Sequence, residues 1–477
     1  MSAAYGIGQY FGWDAFLPAA SYHVGEGIWT IVRPPGTLGY ASYFATWLVF
    51  VVLLSLGLRT IEESEVWRRI AVATAILATC AILLTGTRAA MVGLVAGGLI
   101  WMAVRRVHIP RRALVLAGVT IVSGAVFYFT PPGQQLRSRT RWFVEDPWGG
   151  ARGNLWRDSL HMAVQRLPAG YGPETFTSEF PRFESVKLAQ AYPDFAHESP
   201  HNMFLDALVS QGLPGLLLLV LVCATGFAAA FRLKQPALAA ALAAGVVSQQ
   251  FTAFTVPTAV IFFVTVGLLV ALDTPVPEPR RRMPVTAAAT ALAAALLYLA
   301  VRFAAADHAL ALVKRGLDDG DLFYAEAQYK KHEVVRLPGS SADVWYSRAL
   351  LGLASRSPQP QVRAAAVREA GAAATNATQT ADDPFNAWYN LAVFCGLQDN
   401  GPCTERSLRA AIRAHPNWFK PHWTLAQVLL LEGHREEAYR EAAIAVKFNG
   451  GKDPEVLRTL EGIRAQSAAA QPRTNQE

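Results

Sequence analysis

Charged residues are scarce in this 477-residue sequence, 17% of the chain, where an average soluble domain carries about 25%. With 52% of residues hydrophobic, the deficit excludes an ordinary soluble chain and points to lipid as the solvent for much of it. Cysteine is nearly absent too. Of the four, Cys80 and Cys223 lie in apolar runs and Cys395 and Cys403 sit close together in a polar tail, so no spacing suits a cysteine-ligated metal. Much of the net charge of +7 sits in short loops between apolar segments, which orientation in a membrane explains, and nucleic acid is not an expected partner.

What the sequence does have is a series of uncharged windows. A bilayer core about 30 Å thick needs roughly 20 apolar residues in a helix, and residues 34–58, 70–87, 89–104, 113–136, 207–231, 235–272 and 283–301 qualify or nearly do. The 235–272 window is too long for one pass and holds a polar kink, Ser248-Gln249-Gln250 to Pro257, so it reads as two helices, about eight spans in all. Arg59 with Arg68 and Arg69, Arg105-Arg106 with Arg111-Arg112, Arg232 with Lys234, and Arg280 to Arg282 fall in every second connection, as cytoplasmic loops should. That alternation puts the N-terminal stretch, the turn from Gly86 to Arg88, the loop over about 131–206 and everything after about Ala304 outside the cytoplasm. Met1 to Val32 would then cross with no helix before it and no secretory signal, so further helices are expected upstream.

The windows end near residue 303, and a tail dense in Arg, Lys, Asp and Glu follows. Within it Ala387, Leu391, Ala392, Asp399 and Ala411 recur 34 residues later as Pro421, Leu425, Ala426, Gly433 and Ala445. Small and large residues alternate there as in a tetratricopeptide helix pair, and Trp345-Tyr346 with Ala349 echoes Trp388-Tyr389 with Ala392. About three repeats are expected, enough for a solenoid. The fold class is therefore all-α: a polytopic transmembrane bundle over 1–303, a helical repeat domain over 304–465 and a disordered polar tail over 466–477.

Chemistry concentrates in the 131–206 loop. Arg137, Arg139, Arg141, Arg152, Arg157 and Arg166 precede Pro168-Ala169-Gly170-Tyr171-Gly172 and then His197-Glu198-Ser199-Pro200-His201-Asn202, which runs into a helix beginning near Asn202. Guanidinium groups suit phosphate oxygens, whereas any single arginine also reads as a snorkelling side chain. Arg88 lies between two apolar windows, where an unpaired charge is expensive, as a phosphate clamp or an anchor. His197-Glu198-Ser199-Pro200-His201 spells the H-E-x-x-H of a zinc protease. Pro200 argues against it, because proline belongs in a first helical turn and would start the helix carrying His201, with His197 left outside.

Four segments, in order, resemble the O-antigen ligase and polymerase family: Arg33-Pro34-Pro35-Gly36-Thr37-Leu38-Gly39-Tyr40; Thr85-Gly86-Thr87-Arg88-Ala89-Ala90; Arg152 through Trp156 to Pro168, Gly170 and Gly172; and His201-Asn202 with Leu205, Gly212 and Gly215. Two departures stand out: family members usually have more transmembrane helices, and they often have asparagine near the position of Tyr40. The resemblance implies a bacterial inner-membrane enzyme, with its catalytic loop and repeat domain periplasmic. It would transfer a glycan from undecaprenyl pyrophosphate to an acceptor hydroxyl on lipid A core, a growing polysaccharide or a protein, inverting the anomeric carbon. His201 would be the general base; Arg33, Arg88 and Arg152 would stabilise the departing pyrophosphate; Arg157 would support them. Asn202 would orient His201 or cap the following helix. No acidic metal-binding pair is evident, so no metal or other cofactor is expected. The repeat domain would recognise an acceptor or protein partner, and Cys395 and Cys403 would pair on an oxidising side. The competing readings are a non-catalytic scaffold of a polysaccharide-assembly machine and, further off, the zinc protease.

Overall fold

A computed structural model describes residues 1–18, 22–24, 31–105, 111–134, 137, 150–274 and 283–470, without the side chains of 111–117, 120–121, 283–285 and 467–470. Arg106, Arg139, Arg141 and Arg280 to Arg282 fall outside the described residues. The chain divides into two compact units, Met1–Pro173 with Ser199–Val276, and Glu174–Glu198 with Pro277–Glu477.

The first unit opens with a short helix, α1 (Ser2–Tyr10), and a two-stranded antiparallel ribbon pairing His23 with Val32 and Val24 with Ile31; the ribbon departs from the all-α reading. Helices α2 (Ala41–Ile61), α3 (Glu65–Thr85), α4 (Arg88–Arg105), α5 (Arg111–Tyr128), α6 (Arg152–Gln165), α7 (Met203–Arg232), α8 (Pro236–Ser248) and α9 (Val256–Asp273) follow. Among the described residues of the whole chain six helices are long and apolar enough to span a membrane: α2, α3, α4, α7, α9 and, in the second unit, residues 286–318. Helix α8 has 13 residues, about 20 Å at 1.5 Å per residue, which is short of a bilayer core. It is a core helix instead, with Ala239, Ala240, Ala241, Leu242 and Ala244 all inaccessible to solvent.

Small residues bring the backbones together around α8. Gly93 and Gly97 of α4 form a G-x-x-x-G face, and a Cβ on them would lie 2.8 Å from Ala244 O and 2.9 Å from Ala240 O. Lipid supplies no hydrophobic drive between helices, so such backbone approach is a main source of packing energy. Larger side chains, Phe44, Leu48, Phe50, Ile82, Leu242, Phe262 and Leu269, fill the rest of the core, while Leu217, Leu218, Leu221, Val260 and Val264 point outward as lipid-facing groups should. The register is antiparallel between α4 and α8, since Gly93 meets Ala244 and Ser248 while Gly97 meets Ala240 and Ala244. One end of the bundle therefore gathers the start of α2, the α3–α4 turn, the start of α7 and the α8–α9 turn. The other end carries Arg59, Arg68, Arg69, Arg105 and the Arg232–Asp273 ion pair.

In the second unit α10 (Met283–Asp318) is one continuous helix of 36 residues, so the boundary at 303/304 falls inside it rather than in a linker. Exposed Leu292, Leu296, Leu297 and Val301 give way to buried Ala306, Ala309, Val313 and Leu317. At the changeover Arg302 donates to the carbonyls of Val335 and Arg336, each at 3.0 Å, satisfying carbonyls left open at the end of the next helix. Helices α11 (Leu322–Val335), α12 (Ala342–Arg356), α13 (Pro360–Thr380), α14 (Pro384–Leu397), α15 (Gly401–Ala414), α16 (Phe419–Leu431), α17 (Arg435–Asn449) and α18 (Pro454–Ala470) pack mainly on their sequence neighbours. The turns after α10, α14 and α16 share one geometry. Gly320, Asp399 and Gly433 have φ of +81°, +52° and +86°, and the next N–H reaches back to Gly316, Cys395 and Leu429 at 2.8, 3.0 and 2.8 Å, the six-residue closure of a left-handed helix cap. Asp399 and Gly433 are one of the pairs that recur along the sequence. Helix α18 runs to Ala470, further than the expected tail start at Gln466 because the Ala-rich run continues the helix; residues 471–477 lie outside the described residues.

Cys395 and Cys403 are disulfide-bonded, with Cα atoms 5.7 Å apart. Residues 174–198 pack on α14 to α17: Glu184 Oε2 lies 2.7 Å from His415 Nε2, and Lys420 Nζ donates to Asp194 at 2.6 Å. The 131–206 loop is thus divided between the two units rather than being one body.

Candidate functional site

The site builds up at the gathered end of the first unit. After the ribbon's second strand, Ile31–Val32, the backbone N–H of Arg33 donates to Tyr22 O at 3.0 Å, continuing the ribbon's pairing. Pro34 and Pro35 then lead to Gly36, where φ is +58° and a Cβ would stand 2.6 Å from the Phe44 ring; only glycine suits both conditions. The Gly36 N–H donates to Gln9 Oε1 at 2.9 Å, and Gln9 Nε2 donates to Asp14 at 2.7 Å, a support the sequence reading missed. The loop so fixed holds the Arg33 guanidinium 5.5 Å from the Tyr40 ring centre and 3.2 Å from Ser42 Oγ. The aromatic residue at position 40 is a stacking partner for the cation.

The second segment is a tight turn. Gly86 caps α3 at φ +61°, Thr85 and Thr87 hydroxyls lie 3.1 Å apart, and Thr87 Oγ1 reaches Ala41 O at the start of α2. Arg88 opens α4 directly after it. Ser42, which Arg33 holds, and Ala41, which Thr87 reaches, are the first residues of the same helix, and Arg88 follows Thr87 directly; a helix N-terminus is an electrostatic setting that favours anions.

The histidine stands in a strained corner. His201 has φ +52°, rare for a residue with a side chain. Its N–H donates to Ser199 Oγ at 3.2 Å and its Nδ1 lies 3.3 Å from the same hydroxyl. Trp156 Nε1 donates to Pro200 O at 3.0 Å and pins the corner to α6, the helix that Arg152 opens. Burial, then the charge of Arg152, pushes the His201 imidazole down from 6.5 to about 4, below the ordinary value assumed from the sequence. The following helix begins at Met203 and not at Pro200, because Asn202 caps it: its side-chain oxygen accepts from the N–H groups of Phe204 and Leu205, each at 3.1 Å. Neither His197 nor His201 is on a helix, so the H-E-x-x-H spelling does not place two imidazoles on one helical face.

Helix α7 is itself broken. Gly212 has φ +68° and ψ −164°, and the turn after α6 docks into the break. Leu213 N–H donates to Leu167 O at 2.7 Å, and Tyr171 and Gly172 N–H donate to Val209 and Ser210 carbonyls at 2.8 and 2.9 Å. Gly170 faces Ser210 there with no room for a Cβ. The glycines singled out in the sequence are thus both halves of one joint that holds the His201-bearing segment.

The other arginines of the loop are engaged locally. Arg137 donates to the Tyr128 and Thr130 carbonyls, Arg157 donates twice to buried Asp158 at 2.9 and 2.7 Å, and Arg166 lies 4.5 Å from the Tyr171 ring centre. Among the described residues no group of three or more His, Cys, Asp or Glu is arranged to hold a metal ion.

A family model described as O-antigen ligase matches residues 73–220. That window takes in Arg88, Arg152, Arg157, His201 and Asn202, with Arg33 before it. The match supports the O-antigen ligase family and, with the apolar helices, a multi-pass membrane protein of glycosyltransferase-like function. No curated protein and no solved structure matches the chain.

Proposed function

We propose that this protein is an inverting glycosyltransferase that moves a glycan from undecaprenyl pyrophosphate to an acceptor hydroxyl, on the outer face of a bacterial inner membrane and without a metal. The observation that carries the reading is the His201 corner, an imidazole held at a strained turn beside Arg152. If Nδ1–H donates to Ser199 Oγ, the Nε2 lone pair is left for substrate. Nε2 takes the acceptor proton as the acceptor oxygen attacks the anomeric carbon from the face opposite the pyrophosphate. The bond from that carbon to the pyrophosphate oxygen breaks, and its electron pair leaves with the carrier. Arg33, Arg88 and Arg152 meet the charge that develops there, and Arg157 supports the site through Asp158. Asn202 serves as a helix cap, which holds the turn bearing His201.

An imidazole depressed to about 4 is a weak base but an uncharged one at neutral pH. Bound pyrophosphate offsets the Arg152 charge and raises its basicity when donor is present, so the base strengthens only in the loaded site. Lipid A core, a growing polysaccharide and a protein hydroxyl are all acceptors this chemistry serves. The helical pairs of the second unit are read as tetratricopeptide-like repeats that present a surface to the acceptor or a protein partner.

The test is glycan profiling of a deletion strain complemented with the full-length gene, wild type against His201→Ala, at equal membrane expression. Loss of transfer with accumulation of lipid-linked glycan supports the reading, and the species left unmodified identifies the acceptor. An unchanged profile overturns it in favour of a scaffold.

A further inference from the structure

One polar side chain at this end of the bundle has no part in the scheme above. Gln249 follows the last residue of α8 and is wholly inaccessible to solvent, and among the described residues no group hydrogen-bonds its Oε1 or its Nε2. Buried polar groups are almost always paired, because a buried amide without partners is costly. Its position is set from two sides. The backbone carbonyl accepts from Met203 N–H at 3.0 Å, which seats it beside the first turn of α7, next to Asn202 and His201. Across the bundle a Cβ on Gly93 would lie 3.0 Å from Ser248 Cβ, and the antiparallel register carries the chain after Ser248 to the level of Arg88. Gln249 thus lies near the level of the arginine turn, with its backbone bonded to the first residue of the helix that follows the histidine corner.

Its chemistry differs from that of its neighbours. Arginine only donates, and phosphate oxygens only accept. A primary amide does both, and so does a sugar hydroxyl. We propose that Gln249 is a substrate-binding residue that hydrogen-bonds the hydroxyls of the sugar at the reacting end of the glycan, dividing recognition with the arginines, which take the pyrophosphate. The inference rests on the transferase reading of the site. The hydroxyls belong either to the donor sugar or to an acceptor sugar, and kinetics separates these.

The experiment uses full-length protein in proteoliposomes, with lipid-linked glycan extracted from the deletion strain as donor and the unmodified acceptor from the same strain. Gln249→Leu is expected to raise KM about 10- to 100-fold for one substrate, with kcat changed only a few-fold and thermal stability equal or higher. A rise for donor assigns the donor sugar, and a rise for acceptor assigns the acceptor sugar. Gln249→Met, a flexible apolar replacement of similar length, takes its place should the leucine variant fail to fold. Unchanged KM for both substrates, with His201→Ala inactive, overturns the inference and leaves the transferase reading standing. Transfer by His201→Ala overturns both.

Discussion

Gly212 meets Gly170 backbone to backbone: a Cβ on Gly212 would lie 2.8 Å from Gly170 N and 2.6 Å from Leu167 O, at a φ of +68°. The contact is the joint between the 152–172 segment and the helix that follows His201, so its geometry is transmitted to the imidazole. Gly212→Ala should cost about 1–3 kcal/mol in backbone strain besides the clash. It should lower the unfolding midpoint of detergent-purified protein and cut transfer by up to about 100-fold. Gly267→Ala, with open space around it, should do neither.

The depressed His201 imidazole gives a pH signature. Its neutral form persists on acidification until about pH 4, so the acid limb of kcat/KM, which reports the free enzyme, should lie near 4 rather than near 6.5. Arg152→Gln removes the second cause and should move that limb upward. On the stability side, the unfolded chain binds the proton from about 6.5 and the folded chain only from about 4. This group therefore makes folding less favourable as pH falls through that interval. A limb at 6.5 in the wild type would refute the assignment.

The Gly93 and Gly97 face sets the spacing of α4 from α8. Gly97→Leu has to displace Ala240 O and Leu53 Cδ1, which a Cβ would approach to 2.9 and 2.8 Å. Gly98→Leu, one residue on with nothing nearby, points outside the packed face. Size-exclusion profiles in detergent should show the first variant aggregated and the second monodisperse.

The disulfide closes a loop with a sequence separation of 8, for which chain entropy predicts about 2–3 kcal/mol. Unreduced, denatured protein should take up maleimide at Cys80 and Cys223 alone, and reduction should add two sites. The double variant Cys395→Ser with Cys403→Ser should unfold at lower temperature.

Membrane architecture was legible because lipid imposes a simple rule, and each of the six spans overlaps an uncharged window. Hydropathy registers the alanines of helix α8 but not its 13-residue length, which the Gln249 turn ends and which is shorter than a full crossing. The arginines and His201 stand out in the sequence as residue types, yet their setting is hidden there. The corner of His201 is pinned by Trp156 from 44 residues before Pro200, whereas the stacking of Tyr40 on Arg33 and the helix start at Met203 arise within a few residues, in backbone geometry that residue types alone do not reveal. Gln249 had a visible signal, a glutamine pair inside an apolar window, but only burial separates it from an ordinary turn residue. The division of the 131–206 loop left no local trace, since what binds 174–198 comes from residues after 384.

That last feature bears on the order in which the chain is made. Glu184 and His415 are 231 residues apart, and at about 5–20 residues per second the ribosome needs roughly 10–45 s to deliver the histidine after the glutamate has emerged. For that time the 174–198 segment, with its aromatic side chains and buried carboxyl, waits without the surface it folds on. Deleting the C-terminal helices therefore removes the surface on which 174–198 packs, and a loss of activity on truncation speaks to assembly before it speaks to binding.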